Sequence, residues 1–327
     1  MKKIKLGLLA CGGIAHKMAR AAAAADNVEL YACAARDLTR AKDFAAIYNI
    51  PVAYGSYERL AADAAVDLIY VSSLNHSHFE HVKLCLEAGK HVICEKPFTT
   101  SAAQAKELFA LAASKKLFLM EAMWTRFLPA IRKLKEMIDA GELGELIALN
   151  LTSGQAVGHV PRLARADFAG GALLDMGVYS LTYSDLYMGE DIKNIYSSAR
   201  LSDEGVDQTN MILLDYGDGK AATVMSSSLA AYEHRVTILG TKAYAVINGV
   251  YGADSFSITR GSETITYNLP SKLRGNGFEH ELIEAADCII AGKIESDIHP
   301  GAKTIYMMGL LDRIRARWGM VYPFEVR

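Results

Sequence analysis

The chain has 327 residues, 51% of them hydrophobic, and its 35 Lys plus Arg against 37 Asp plus Glu leave a net charge of -2. That length accommodates two domains of ordinary size, each with its own core. The balanced charge offers no basic field for nucleic acid or acidic lipid, and no apolar run approaches the roughly 18 residues a membrane helix requires. No nucleic-acid or membrane partner is expected, and small-molecule chemistry is the default.

The opening stretch, MKKIKLGLLACGGIAHKMA, combines a basic start with an apolar run and a Leu8-Leu9-Ala10-Cys11 sequence resembling a lipoprotein cleavage box. A secretory core needs about 7 to 15 apolar residues. Residues 6–10 have instead the length of a buried strand, and the Ala-rich segment after them has helical character. The five cysteines, Cys11, Cys33, Cys85, Cys94 and Cys288, are scattered and form no C-x-x-C pair. They read as reduced core residues of a cytoplasmic protein.

Along the chain, residues 5–10, 28–35, 68–71, 91–94 and 118–120 read as strands. They are apolar at consecutive positions, as suits a parallel sheet covered on both faces. Helical segments alternate with them, with a capping box at Ser101 and Gln104 and a stop at Ala88-Gly89-Lys90. Beyond a helix at 129–140 the texture changes. Tyr216-Gly217-Asp218-Gly219 and Arg260-Gly261-Ser262 are hairpin signals, and residues 264–269 alternate with period two, which predicts an antiparallel sheet. Two late helices follow, at 278–291 and 301–317, placed to cover that sheet or to dock back onto the first domain. The expected fold class is α/β. A dinucleotide-binding (Rossmann) domain with a doubly wound parallel sheet spans 1–123, and an α+β domain with a large, open, mostly antiparallel sheet spans 124–327.

After the first strand, Ala10-Cys11-Gly12-Gly13-Ile14-Ala15 is a dinucleotide fingerprint with alanine at its first glycine. Gly12, Gly13 and Ile14 are the candidate phosphate contacts at a helix N-terminus. At the end of the second strand, where an acidic residue would hold an adenine ribose, stands Arg36. A guanidinium pairs with a 2′-phosphate, so NADP is favoured over NAD. Asp37 keeps NAD open, although its plainer role is to cap the next helix. Three histidines fall within Asn75-His76-Ser77-His78-Phe79-Glu80-His81, but no carboxylate or cysteine completes a ligand set, so no metal is expected. Instead Ser73, Asn75, His76 and His78 are expected to line the cofactor and nicotinamide end. Cys94-Glu95-Lys96-Pro97 and Gly170-Gly171-Ala172-Leu173-Leu174-Asp175-Met176-Gly177-Val178-Tyr179 supply reactive groups, with Asp175 and Tyr179 four apart on a helix. The plainer reading of Tyr179, Tyr183 and Tyr187 is an aromatic core stripe.

The segments "AGKHVICEKP" (88–97) and "AGGALLDMGVY" (169–179) and the "GTK" turn (240–242) resemble the Gfo/Idh/MocA family of oxidoreductases along the whole chain. With "LFLMEAMWTRFLPA" (117–130), the chain is similar to that family's branch of NADP-dependent sugar and dihydrodiol dehydrogenases. The resemblance implies hydride transfer between a secondary alcohol of a sugar, polyol or cyclic trans-diol and nicotinamide. It implies Lys96 and Tyr179 as the catalytic pair, with Asp175 beside them, Arg36 as the 2′-phosphate ligand, and Glu95 at the cofactor. His76, Trp124 and Arg126 would lie at the substrate end. Many members carry histidine where this chain has Tyr179, which favours the tyrosine-using branches. Relatives also imply a homo-oligomer formed through the C-terminal sheet. Two other classes stay open in the same family: a dinucleotide-binding sensor without turnover, and a lyase or glycosidase with permanently bound NAD.

Overall fold

A computed structural model describes residues 3–270 and 275–325. The chain divides into two compact units, 1–127 with 272–308, and 128–271 with 309–327. In the first, strands and helices alternate: β1 (Ile4–Leu9), α1 (Gly13–Ala24), β2 (Val28–Ala34), α2 (Leu38–Tyr48), β3 (Val52–Tyr54), α3 (Tyr57–Ala61), β4 (Leu68–Val71), α4 (His78–Glu87), β5 (His91–Glu95), α5 (Ala102–Lys115) and β6 (Leu119–Ala122). The sheet order is β3-β2-β1-β4-β5-β6, and every pair is parallel. This is the doubly wound arrangement expected from the consecutive apolar runs. All four residues of β4 are buried because helices cover both faces. The order reverses between β1 and β4, the point beyond whose carboxyl ends doubly wound sheets bind their ligands.

Local signals set the helix ends. Asp37 Oδ1 accepts from Arg40 N at 2.8 Å and caps α2. Ser101 Oγ accepts from Gln104 N at 3.4 Å, while the Gln104 amide oxygen reaches back to Thr100 N at 3.1 Å, one residue earlier than a standard capping box. Gly89 ends α4 at φ +79°, where glycine is the residue without a Cβ penalty.

The second unit holds α6 (Pro129–Asp139), β7 (Leu146–Gly154), α7 (Pro161–Ala164), a π-helical turn at Leu173–Gly177, α8 (Val178–Met188), β8 (Asn194–Leu201), β9 (Asp207–Gly217), β10 (Lys220–Ser227), β11 (Tyr232–Gly240), β12 (Tyr244–Asn248), β13 (Ser255–Arg260) and β14 (Glu263–Asn268). The order is β14-β13-β12-β11-β7-β10-β9-β8. β10 runs parallel to β7, and the other pairs are antiparallel. At the β9–β10 hairpin Asp218 and Gly219 take φ +52° and +77°, the two positive values that suit a tight turn to the strand twist. One face of the sheet buries Leu149, Leu151, Ile212, Val224 and Val236, and α8 packs over β7 and β10. The other presents Tyr196, Met211 and Leu213 to solvent. The alternation in β14 buries neither set, because the strand ends the sheet and Ile265 stays 48% exposed.

The late helices are α9 (Glu279–Ile290) and α10 (Gly301–Arg317). Leu282, Ala285 and Ala286 of α9 join the core of the first unit with Tyr70, Ile93 and Met120, and the division between units falls within α10. Among the described residues no helix is long and apolar enough to cross a membrane.

Candidate active site

The turn from β1 to α1 is tied down by hydrogen bonds to its backbone. Ala10 N donates to Ala34 O at 3.0 Å, and Ser72 Oγ donates to the Leu9 and Ala10 carbonyls at 3.1 and 3.0 Å. Ala10, standing where the fingerprint has its first glycine, adopts φ +77°, a left-handed value that disfavours any Cβ. A Cβ built on Gly12 or Gly13 would meet nothing within 4 Å. The space over the first turn of α1 is therefore open, and that turn carries no acidic residue. Its N–H groups and the positive helix end suit a pyrophosphate, whose oxygens would approach Gly12, Gly13 and Ile14.

Arg36 follows the end of β2 and is exposed. Arg40, one turn into α2, was not foreseen. The charges of both act on the Tyr57 phenol, whose pKa is raised by burial and drawn down by the two guanidiniums. Tyr57 packs edge-on against His81, with ring centroids 4.8 Å apart. His81 Nδ1 lies 2.8 Å from Ser73 Oγ, and burial pushes that imidazole down to about 4.

His78, expected at the cofactor, is turned inward. It is fully buried, with Nδ1 2.8 Å from Pro97 O and Nε2 3.0 Å from Ser73 O, so its ring ties the Ser73 loop to the end of β5 and faces no open space. Asn75 and His76 lie in a half-buried 3-10 turn, Asn75–Ser77. No cluster of metal-ligating side chains occurs among the described residues.

The end of β5 is gripped from both faces of the sheet. Tyr70 pairs with Ile93, which puts Glu95, two residues on, on the same face. There the Tyr70 hydroxyl donates to Glu95, and Glu95 Oε2 accepts from Lys96 N at 3.1 Å. Glu121 pairs with Cys94 and faces the other way. It accepts from Phe98 N at 3.2 Å and from Thr304 Oγ1 at 2.9 Å, and lies 3.1 Å from His299 Nε2. The amides on either side of the cis Lys96–Pro97 bond are thus held by carboxyls from opposite layers. Trp124, in the 3-10 turn after β6, stacks on Phe278 with centroids 4.3 Å apart and 11° between planes, so one face of its indole is covered. Arg126 in the same turn is 5% exposed. Glu281 of α9 is buried with neither carboxyl oxygen hydrogen-bonded. Burial, then Glu95 and Glu121, raises its pKa well above the carboxylate range.

In the second unit the glycines of the 169–179 motif are explained by close approach. A Cβ on Gly170 would lie 2.5 Å from Leu163 O, and one on Gly171 would run into Asp207 Oδ1. The helix expected from Gly170 onward begins as the π turn Leu173–Gly177, so Asp175 and Tyr179 do not share a plain α-helical face. Asp175 pairs with Arg162 at 2.6 Å. Tyr179 is buried, 7% exposed, and meets Tyr251 edge-on at 4.8 Å. The stripe is real as well, since Tyr183 and Tyr187 are buried and stack at 6.1 Å.

Two family models match. One, an oxidoreductase family with an NAD-binding Rossmann fold, covers residues 4–123, and a GFO/IDH/MocA C-terminal domain covers 131–246. The chain belongs to the Gfo/Idh/MocA family. It is an oxidoreductase with a dinucleotide-binding Rossmann domain, as its sequence motifs implied. It is 33% identical, over 98% of its length and 99% of the relative's, to trans-1,2-dihydrobenzene-1,2-diol dehydrogenase of Xenopus laevis. The Sus scrofa dehydrogenase of the same name is 36% identical, over 90% of each chain. Among solved structures, KijD10, a 3-ketoreductase from Actinomadura kijaniata in complex with NADP and TDP-benzene, superposes with a TM-score of 0.87. It is 27% identical, over 96% of this chain and 98% of that one.

Proposed function

We propose that this family member is an NADP-dependent dehydrogenase oxidising a secondary alcohol of a sugar, polyol or cyclic trans-diol, with Lys96 and Tyr179 as its proton-transfer pair. The observation that carries the reading is identity of 33% to a diol dehydrogenase along 98% of the chain, joined to a basic rather than acidic residue after β2. Arg36, supported by Arg40, would hold the 2′-phosphate, and Gly12, Gly13 and Ile14 the pyrophosphate. Ser73, Asn75, Glu95 and Lys96 would border the nicotinamide half. The KijD10 complex with NADP is consistent with this choice.

The dinucleotide, when bound, supplies the hydride acceptor. The side chains of the chain then manage the proton. As the phenolate, Tyr179 would take the proton of the substrate hydroxyl as the carbon loses hydride, and as the phenol it would return that proton in the reverse direction. With an ordinary pKa of about 10 the tyrosine is little ionised at neutral pH, and an ammonium such as that of Lys96 would favour its ionised form if brought beside it. Asp175, fixed by Arg162, is the proposed acidic neighbour. His76, Trp124 and Arg126 would border the substrate. The solvent-facing apolar surface of Tyr196, Met211 and Leu213 is the proposed pairing face of a homo-oligomer. The five free, buried cysteines fit a cytoplasmic setting.

Steady-state reduction of NADP and NAD, side by side, with D-xylose, D-glucose, myo-inositol and a trans-cyclohexanediol tests this reading. NADP reduction with xylose or the diol is expected, as is loss of most turnover in Tyr179→Phe with NADPH binding retained. Full turnover in that variant would remove the tyrosine from the mechanism.

A further inference from the structure

A line of polar side chains runs beneath the π turn of the second unit. Asp207, the first residue of β9, is 1% exposed. Its Oδ2 accepts from Leu173 N at 2.9 Å and from Asn210 Nδ2 at 2.8 Å. Asn210 Oδ1 accepts from Ser226 Oγ at 2.8 Å, and Ser226 Oγ stands 3.1 Å from the place a Cβ on Gly177 would take. Leu173 and Gly177 are the first and last residues of the turn. One connected set therefore bonds the first residue of the turn and lies close beside the last.

Asp207 is costly for a residue that only fills space. Its Oδ1 has no hydrogen-bond partner, and an unmatched buried acceptor is destabilising. An asparagine would carry the same two bonds without burying a charge. What the carboxylate adds is a charge-assisted bond, about twice as strong as a neutral one, at the start of a helical segment whose dipole favours negative charge. The charged group acting on it is Arg315 of α10, which lowers its pKa against the effect of burial. Tyr322 is a further titratable neighbour, its phenol raised chiefly by burial and in part by Asp207.

A π turn holds one residue more than an α turn. Relaxation of Leu173–Gly177 to α geometry would rotate the helix beyond it by about 100°, the angle per residue at 3.6 residues per turn. Tyr179 lies two residues past the turn. We infer that Asp207, Asn210 and Ser226 form a clamp that keeps the turn in π geometry, making Asp207 a positioning residue for Tyr179. This rests on the reading of Tyr179 as the proton-transfer residue.

The test compares kcat, KM for NADP and the pH profile of kcat, per folded site, for Asp207→Asn, Asp207→Ala, Ser226→Ala and Tyr179→Phe. Asp207→Ala should lower kcat by about 100-fold, the scale of a misplaced catalytic group, with KM for NADP within about twofold. Asp207→Asn keeps the shape and should lower kcat about three- to tenfold above pH 7. It should also lose the fall in kcat that is expected of the parent as pH drops through about 6 and the carboxylate protonates. Adding an Asp207 change to Tyr179→Phe should cost nothing more. If Asp207→Asn folds and keeps the parent's kcat and pH profile, the clamp is only structural and the inference falls. Full turnover in Tyr179→Phe would instead overturn the functional reading, and the clamp's role with it.

Discussion

Replacing Asp207 with asparagine should change stability in a pH-dependent way whose size follows from the structure. Burial raises the carboxyl from its ordinary 3.8 to about 6 in the folded chain. For an acid raised on folding, stability is fully present below the unfolded value and is lost as pH climbs through the folded one. The gap between 3.8 and about 6 corresponds to about 3 kcal/mol lost by the time the folded group has ionised. About half of that has gone by pH 5, and the rest by about pH 7. Asparagine has no proton to lose, so the variant should gain on the parent across this window and hold its lead above it. Urea denaturation of both proteins from pH 4 to 8 reads the effect, because other titrating groups cancel in the difference between the two midpoints. A difference that stays constant with pH would refute the reasoning, and would mean that Asp207 titrates alike in the folded and unfolded chain. The variant should thus be the more stable and the slower enzyme at once, a combination that loss of packing does not produce.

Three further outcomes are expected. Ala10→Gly removes a Cβ from a residue at φ +77°; relief of about 1–2 kcal/mol, less the about 0.5–1 kcal/mol that glycine's freer unfolded chain takes back, should raise Tm slightly, and a lowered Tm would show the turn does not favour glycine. Glu281→Leu removes a buried carboxyl with no partner and should stabilise the protein by about 1–3 kcal/mol in a urea titration; destabilisation would mean the carboxyl is paired in solution. Arg36→Ala should raise KM for NADP by about 10- to 100-fold, the worth of a charged hydrogen bond, and leave KM for NAD within about twofold; equal losses for both would make the arginine a fold-supporting residue.

The parallel sheet was legible because β1, β4 and β5 are apolar at consecutive positions, which only double coverage explains. Asp37, Ser101 and Gly89 announced helix ends through local chemistry that needs no partner elsewhere. The three-residue β3 at the sheet edge gave no such pattern, since all its residues are half-buried. Within the site, the motif residues could be named, but their surroundings could not. His78 looks like its neighbours in sequence, yet its position at the start of α4 turns the ring inward to two carbonyls. The π turn was invisible because Asp175 and Tyr179 keep a helical spacing, and what selects the extra residue is Asp207, on a strand that begins about 30 residues later. Glu121, which holds Phe98 N, and Phe278, which covers Trp124, are likewise long-range partners that no local period reveals.

The grip on β5 bears on how this scaffold can vary. Glu95 takes its support from Tyr70 on one side of the sheet, and Glu121 takes its own from Thr304 and His299 on the other. Neither layer alone decides where the backbone of Lys96 sits, much as a beam seated at two bearings does not follow the settling of one. Repacking one layer, or reshaping the loops at the crevice mouth, can therefore proceed while the lysine keeps its place. Changes of substrate preference in this chain should accumulate in the turn at Trp124–Phe127 and the loops beyond the strand ends, and not in Glu95 or Glu121.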